Sequence, residues 1–293
     1  MASTRPTVSC ELFTSKADGI KVYAEAIGDP GKPALVYIHG NSTSSGVWDH
    51  QFFDEELLKY FYQVRFDLRG HGQSETPDVD SESPFDNDKQ GSDVAAVLEG
   101  FSIKNPIFVS WSYGALIPGD YMSVHGFANV RGVVVVDGLT ASYTPATSPD
   151  VHKFFTGGPY PGFTDNNDTM KMHQAYGLFI RALTYQPLPR EWQLKLRGMM
   201  TECATATRQW IFKRKKDWGS YMEGASKTVP KLVIFGKQDG MNSLDYIDYI
   251  KTKWDPSLLT VRLIDNAGHA SFLEQPKQFN ETLLEWARKT TEA

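Results

Sequence analysis

The sequence has few cysteines and no long apolar run, and each absence argues against a class of protein. Cys10 and Cys203 are the only cysteines in 293 residues, and they stand far apart. This spacing argues against a disulfide scaffold and against a zinc site built on paired cysteines. No run of about 18 apolar residues is present that could span a bilayer. We therefore predict no metal site and no membrane partner.

The sequence also lacks an excess of positive charge. The net charge is -5 and the pI is near 5.8, whereas nucleic-acid-binding domains usually carry a basic stripe. We therefore expect no nucleic-acid partner. The basic run 213–216 is interpreted as a solvated helix face. Residues 1–10 have no apolar segment typical of a secretory signal, which favours a cytoplasmic location.

The sequence has the composition of a globular domain, with 41% hydrophobic and 22% charged residues. Short apolar runs, each bounded by turn residues, predict buried strands. The predicted strands are 34–38, 63–66, 107–109, 133–136, 232–235 and 259–264. Strands that alternate with helical segments predict an α/β fold with a mostly parallel, doubly wound sheet.

Helical periodicity is found between these strands, at 47–60, 88–101 and 113–125, and in the last segment of the chain. There Phe279, Leu283, Trp286 and Ala287 form one apolar stripe. The stretch 140–229 breaks the alternation of strands and helices. We assign residues 1–139 and 230–293 to an α/β core and residues 140–229 to an inserted, mainly helical cap.

A serine lies where a buried strand gives way to a helix. The segment from Ile107 to Ala115 reads IFVSWSYGA, which places Ser112 between small residues at this turn. A sharp turn of this kind exposes the serine hydroxyl and points the first amides of the following helix at developing negative charge. Ser110 occupies the position where a glycine is usual. We predict Ser112 as the nucleophile.

Two further motifs follow predicted strands. His39-Gly40-Asn41-Ser42 follows the strand 34–38, and Asp67-Leu68-Arg69-Gly70-His71-Gly72-Gln73-Ser74 follows the strand 63–66. Together with the serine turn they resemble the α/β-hydrolase family. By that resemblance, the N–H groups of Asn41 and Tyr113 form the oxyanion hole. His39 and His71 brace their loops and do not move protons.

His269 lies in the sequence Asp265-Asn266-Ala267-Gly268-His269-Ala270, directly after the last predicted strand. In the family's chain order of serine, acid and histidine, this is the position of the general base. Two aspartates follow strands on the correct side of the sheet. Asp239 lies in the loop where the family most often carries the acid, and Asp137 ends the preceding strand. Asp239 is favoured, and Asp137 is kept as the alternative.

The segments 39–45, 111–114 and 265–270 are also similar to N-acyl-homoserine lactone lactonases of this fold and to related esterases. The resemblance implies a cofactor-independent serine hydrolase whose partner is a small ester or lactone. Aromatic residues are frequent in the cap, which favours a hydrophobic or acyl-bearing substrate. Tyr160 and Trp192 are the candidate substrate contacts. The other interpretation is that these rings pack the cap onto the core.

Two other functions remain compatible with the same residues. One is a ligand receptor on a hydrolase scaffold that turns over slowly. The other is a hydrolase that cleaves carbon–carbon bonds with the same triad. An aspartate nucleophile of the dehalogenase type is excluded because position 112 is serine.

Overall fold

The computed structural model describes residues 7–78, 80–138, 160–165, 167–214 and 224–292. The strands are β1 (Ser9–Thr14), β2 (Lys21–Ile27), β3 (Ala34–Ile38), β4 (Tyr62–Phe66), β5 (Ile107–Trp111), β6 (Gly132–Val136), β7 (Lys231–Gly236) and β8 (Leu259–Ile264). Within the described residues they form one sheet in the order β1-β2-β4-β3-β5-β6-β7-β8. β2 pairs antiparallel with β1 and with β4. The strands from β4 to β8 are parallel, which confirms the predicted fold class.

Both faces of the parallel strands are buried, because successive side chains of a strand point to opposite faces. In β3, Leu35 and Tyr37 join the apolar cluster on one face, while Val36 and Ile38 join the cluster on the other. Each apolar side chain buried in this way contributes roughly 1.5–3 kcal/mol. This explains why continuous apolar runs mark these strands in the sequence.

All six predicted strands are confirmed to within two residues at each end. The prediction was wrong in omitting β1 and β2. In β1 nearly every side chain is exposed, and in β2 buried and half-buried side chains alternate. Neither strand therefore has the continuous apolar run of a strand buried on both faces.

The helices are α1 (Asp49–Phe52), α2 (Glu55–Tyr60), α3 (Asn87–Gly100), α4 (Ile117–His125), α5 (Tyr160–Phe163), α6 (Thr169–Ala182), α7 (Arg190–Thr201), α8 (Thr205–Lys213), α9 (Ser226–Thr228), α10 (Asp245–Lys251), α11 (Ser271–Glu274) and α12 (Pro276–Glu292). In α12 the predicted apolar stripe is buried. The single helix predicted over 47–60 is wrong. A 3-10 turn at Ser45–Trp48 precedes α1, and the chain restarts at α2, where the Asp54 carboxylate accepts a hydrogen bond from Leu57 N at 2.8 Å.

The described part of the predicted cap consists of helices, from α5 to α9. Phe163, Tyr176 and Phe179 of the cap join the apolar cluster on one face of the sheet, whereas Ile211 and Ala225 join the cluster on the other. The boundaries of the cap at 140 and 229 stay a prediction. No helix in the described part of the chain is both long and apolar enough to cross a bilayer.

The interpretation of the basic run 213–216 as a solvated face is wrong for Arg214. This residue directly follows α8 with its side chain buried, and its guanidinium lies 2.8 Å from the carboxylate of Asp120 in α4. A buried charge requires a partner, and the carboxylate of Asp120 is the partner that allows Arg214 to be buried. Lys215 and Lys216 lie outside the described residues.

Candidate active site

Ser112 stands at the sharp turn predicted between β5 and α4. Its φ is +53°, a left-handed value that is strained for a residue with a Cβ. A 3-10 turn at Ser112–Leu116 leads directly into α4. Ser110, at the position where glycine is usual, is fully buried and donates its hydroxyl hydrogen bond to Val134 O at 2.9 Å. The larger residue therefore fits because the neighbouring strand accepts its hydroxyl.

A linear relay joins Ser112 to two other predicted residues. His269 Nε2 lies 2.8 Å from Ser112 Oγ, and His269 Nδ1 lies 2.8 Å from Asp239 Oδ2. The three residues follow β5, β8 and β7, whose carboxyl ends meet at one edge of the sheet. The structure thus brings together the serine, histidine and aspartate that the sequence singled out.

The loop that carries His269 is anchored by an indole that the sequence reasoning did not consider. Trp111, the last residue of β5, donates its Nε1–H to His269 O at 2.6 Å. Trp111 is 1% exposed, so this hydrogen bond forms in a dry environment where it is stronger than in water. It ties the histidine loop to the residue that directly precedes Ser112.

Asp239 is oriented by its own loop. Its Oδ1 accepts hydrogen bonds from Met241 N at 2.7 Å and from Asn242 N at 3.0 Å, which leaves Oδ2 for His269. Both carboxylate oxygens are therefore occupied, and each is confined to one set of partners. An anionic oxygen at Nδ1 holds the proton of the ring on that side.

Asp137, the alternative acid, accepts hydrogen bonds from Gly236 and Ser271, and none of its described hydrogen bonds is to the ring of His269. Its Oδ1 accepts from Gly236 N at 2.7 Å, and its Oδ2 accepts from Ser271 N at 3.1 Å and from Ser271 Oγ at 2.6 Å. Its carboxylate therefore links the loops that carry Asp239 and His269. Burial, followed by the charge of Asp239, raises the pKa of Asp137 from 3.8 to about 7.

The charges around His269 favour its protonated form. Burial alone lowers the pKa of the imidazole, but the charge and hydrogen bond of Asp239 and the charge of Asp137 together raise it above the ordinary 6.5. A histidine with a raised pKa accepts a proton more readily than an ordinary one.

The predicted oxyanion-hole residues lie on two loops that touch. A Cβ on Gly40 would lie 2.9 Å from the ring of Trp111, and a Cβ on Gly114 would lie 2.8 Å from Ile38 O. The absence of both Cβ atoms lets the loop of Asn41 approach the serine turn closely. Tyr113 is the second residue of the 3-10 turn, and the first backbone N–H groups of a helical turn have no acceptor within it.

His39 and His71 both lie buried against their own loops, with His71 Nδ1 at 3.1 Å from Arg69 O. His39 Nε2 accepts a hydrogen bond from Leu68 N at 2.9 Å, and its Nδ1 lies 2.7 Å from Gly40 O. Burial lowers the pKa of His39 to about 4. Burial, followed by the charge of the neighbouring His39, lowers the pKa of His71 to about 3. Both rings are therefore neutral near pH 7.

Of the two candidate substrate contacts, the structure describes the side chain of Trp192 but not that of Tyr160. Trp192 lies on α7, with its ring centroid 4.9 Å from that of His50 and the Lys195 ammonium 4.6 Å from it. These contacts pack the cap onto the core. Tyr160 begins α5, and its side chain lies outside the described residues. Substrate contact by either residue stays a prediction.

Several other aromatic residues of the cap pack against one another. Phe163 stacks on Phe179 with centroids 4.7 Å apart and meets Tyr176 edge-on at 5.4 Å. All three are at most 6% exposed. For these three rings the structure favours packing within the cap. Phe154 and Phe155 lie outside the described residues.

Two arginines near the site were not identified from the sequence. Arg208 is fully buried and donates to Ser42 Oγ at 3.0 Å, while Arg214 pairs with Asp120. No local pattern marks these two contacts, because Ser42 lies 166 positions from Arg208 and Asp120 lies 94 positions from Arg214 along the chain. Across the described residues, no group of three or more His, Cys, Asp or Glu side chains could hold a metal ion.

Comparisons with known proteins identify similar sequences. A model of the Alpha/beta hydrolase family matches residues 35–282. An AB hydrolase superfamily protein of Bacillus subtilis (strain 168) is 25% identical over 94% of this chain and 98% of its own length. The 3-oxoadipate enol-lactonase 2 of Acinetobacter baylyi is 24% identical over 92% of this chain and 94% of its own.

The fold is also found among solved structures. The esterase RhEst1 from Rhodococcus sp. ECU1013 superposes with a TM-score of 0.77 at 24% identity, and the match covers 95% of this chain and 98% of that one. The likeness therefore extends over nearly the whole of both chains.

Proposed function

This chain belongs to the α/β-hydrolase family of enzymes, and on that premise we propose that it cleaves carboxylic esters or lactones through a serine acyl-enzyme. The single observation that carries the proposal is the relay from Ser112 Oγ through His269 to Asp239, with 2.8 Å at each step. A nucleophile, a base and an orienting acid within hydrogen-bond reach are the arrangement that nucleophilic catalysis requires.

In the proposed reaction, Ser112 Oγ attacks the substrate carbonyl while its proton passes to His269 Nε2. The carbonyl oxygen becomes an oxyanion between the N–H groups of Asn41 and Tyr113. When this intermediate collapses, the bond to the alcohol oxygen breaks and His269 returns the proton to that oxygen. For a lactone, the alcohol stays attached to the acyl group.

Water completes the cycle in the second half of the reaction. His269 takes a proton from the water as its oxygen attacks the acyl carbonyl. The tetrahedral intermediate then releases the carboxylic acid, and Ser112 Oγ regains the proton from His269. Asp239 keeps the ring in the tautomer that leaves Nε2 free to accept a proton, and it stabilises the imidazolium without being protonated.

The proposed oxyanion hole is the largest electrostatic contribution in this scheme. Each backbone donor aimed at such an oxyanion contributes roughly 3–4 kcal/mol to the transition state. The close approach of the Gly40 loop to the serine turn supports this role for Asn41 and Tyr113, because it fixes the two N–H groups before substrate arrives.

The substrate class is proposed as a small hydrophobic or acyl-bearing ester or lactone, with no cofactor. The names of two similar proteins, an enol-lactonase and an esterase, support an ester or lactone.

The nucleophile is tested by replacing Ser112 with alanine and measuring turnover of p-nitrophenyl acetate and butyrate. We expect kcat to fall by roughly 10⁴-fold or more, as for other single losses from a triad. Ser257→Ala is the matched control, because its exposed hydroxyl bonds only to its own loop among the described contacts. Equal turnover by Ser112→Ala and the native chain would refute the assignment.

The bond that is cleaved is tested by mass spectrometry of products from a panel of lactones, esters and β-diketones. We expect acids from the esters and hydroxy acids from the lactones. Products of carbon–carbon cleavage alone would refute ester hydrolysis. A single turnover with no further release of product would favour the ligand-receptor alternative.

A further inference from the structure

Helix α8 of the cap carries two buried arginines, and each contacts one of the two loops proposed to form the oxyanion hole. Arg208 lies within α8, and Arg214 directly follows its last residue. They are six positions apart, which corresponds to about 9 Å along the helix axis. The helix is therefore long enough for its two arginines to reach the two loops at the same time.

Arg208 reaches Asn41 through one serine. Its Nε–H donates to Ser42 Oγ at 3.0 Å, and Ser42 Oγ donates to the side-chain oxygen of Asn41 at 2.8 Å. The hydroxyl thus accepts from the arginine and donates to the asparagine, so both of its roles are used. Ser42 has a φ of +59°, a conformation that needs support from its surroundings in a residue with a Cβ.

The cap itself holds the guanidinium of Arg208 rigidly. Its NH2 group donates to Tyr176 OH at 3.0 Å and to Met200 O. The planar group also lies over the rings of Phe163, at 4.7 Å, and Tyr176, at 5.1 Å. Because partners on three cap segments fix this side chain, any movement of the cap would be transmitted to Ser42.

Arg214 contacts the other side of the proposed hole. Its guanidinium lies over the ring of Tyr113, 5.5 Å from the centroid, and pairs with Asp120 of α4 at 2.8 Å. Tyr113 supplies the second proposed N–H, and α4 follows it directly. A second hydrogen bond, from Gln90 Nε2 to Tyr113 OH at 3.3 Å, holds the far end of the ring.

We propose that α8 is a clamp in which Arg208 and Arg214 act as positioning residues for the oxyanion hole, Arg208 through Ser42 to Asn41 and Arg214 through the ring of Tyr113. This inference rests on the proposed function. Neither arginine touches the reacting atoms. The cap therefore sets the geometry of the transition-state site in addition to covering the substrate.

The Arg208 half of the clamp is tested by kinetics of Ser42→Ala, Arg208→Gln and the double variant with p-nitrophenyl butyrate. We expect each single change to lower kcat about tenfold, since small misplacements of catalytic groups have large effects, with KM nearly unchanged. Because both residues act on Asn41 through one path, the double variant should be no slower than the slower single variant.

Arg197→Gln is the matched control, because Arg197 donates to His173 O within the cap. It should keep the native kcat. The proposal is overturned if Ser42→Ala keeps a kcat within twofold of native, or if the two single effects multiply in the double variant. The conservative Ser42→Ala change leaves the cap contacts of Arg208 intact, so the test stands even if Arg208→Gln fails to fold.

The Arg214 half is tested with Arg214→Lys, which keeps a positive charge near Asp120 but removes the planar group over Tyr113. We expect kcat to fall about threefold, the size of a modest cation–π contribution. A lower melting temperature with a native kcat would assign Arg214 to stability alone and overturn this half of the clamp.

Binding of phenylboronic acid separates a failure of the clamp from a failure of the proposed function. Boronic acids form a tetrahedral anion on an active serine, so they report on the oxyanion site without turnover. The inhibition constant should rise in Ser42→Ala by about the factor by which kcat falls, as expected for a transition-state analogue. If the native chain shows no ester turnover above Ser112→Ala, the proposed function fails, while an unchanged inhibition constant in Ser42→Ala refutes the clamp.

Discussion

Replacement of Asp239 by asparagine should disable the base by reversing the tautomer of His269. In the native chain, Asp239 Oδ1 accepts from Met241 N and Asn242 N, and Oδ2 faces His269 Nδ1. The amide oxygen of an asparagine must keep the position that faces two N–H donors, because an NH₂ group there would oppose them. The NH₂ group is then turned towards His269 Nδ1.

An NH₂ group at this position can only donate, so Nδ1 must accept and the ring proton moves to Nε2. A protonated Nε2 cannot take the proton of Ser112. We therefore expect kcat to fall by about 10⁴-fold, the loss typical of this substitution in a serine triad. This corresponds to about 5 kcal/mol of transition-state stabilisation.

The assay is steady-state hydrolysis of p-nitrophenyl butyrate, with circular dichroism to verify that the variant is folded. Asp248→Asn is the matched control, since Asp248 is exposed and paired with Lys251 on the nearby helix α10. A folded Asp239→Asn variant with kcat within tenfold of native would refute the reasoning. The same loss in Asp137→Asn with none in Asp239→Asn would exclude Asp239 as the orienting acid.

Three other predictions follow from the same site. His269 must be neutral to act as a base and its pKa is raised, so kcat/KM should increase with pH along an acid limb whose midpoint lies above pH 6.5. Asp137→Asn removes one of the charges that raise this pKa, so its midpoint should move to lower pH. A shift of the midpoint to higher pH would contradict this expectation. Gly114→Ala should lose most activity in the ester assay and lower the melting temperature, because its Cβ would collide with backbone carbonyls; native activity would show that the turn adjusts. Ser110→Gly should keep native kcat but lower the free energy of unfolding by about 1 kcal/mol in urea, because it removes a buried hydrogen bond; an unchanged free energy of unfolding would contradict that value.

Part of the fold followed directly from local sequence patterns. Strands buried on both faces, such as β3 and β6, need unbroken apolar runs, and these runs identified six of the eight strands among the described residues. β1 and β2 lie at the antiparallel edge of the sheet. β1 is exposed along most of its length, and β2 alternates buried with half-buried side chains, so neither strand has a continuous apolar run and sequence reasoning missed both.

The sequence by itself determined which residue types stand at the ends of the parallel strands, and so predicted Ser112, His269 and two candidate acids. Only the tertiary structure decided which carboxylate contacts the ring of His269, because hydrogen bonds between loops distant in sequence orient Asp239 and Asp137 differently. The same holds for Arg208 and Arg214, whose burial against the two oxyanion loops depends on how the cap packs on the core. Local patterns encode the strand ends, whereas contacts between distant segments arise only when the chain is folded.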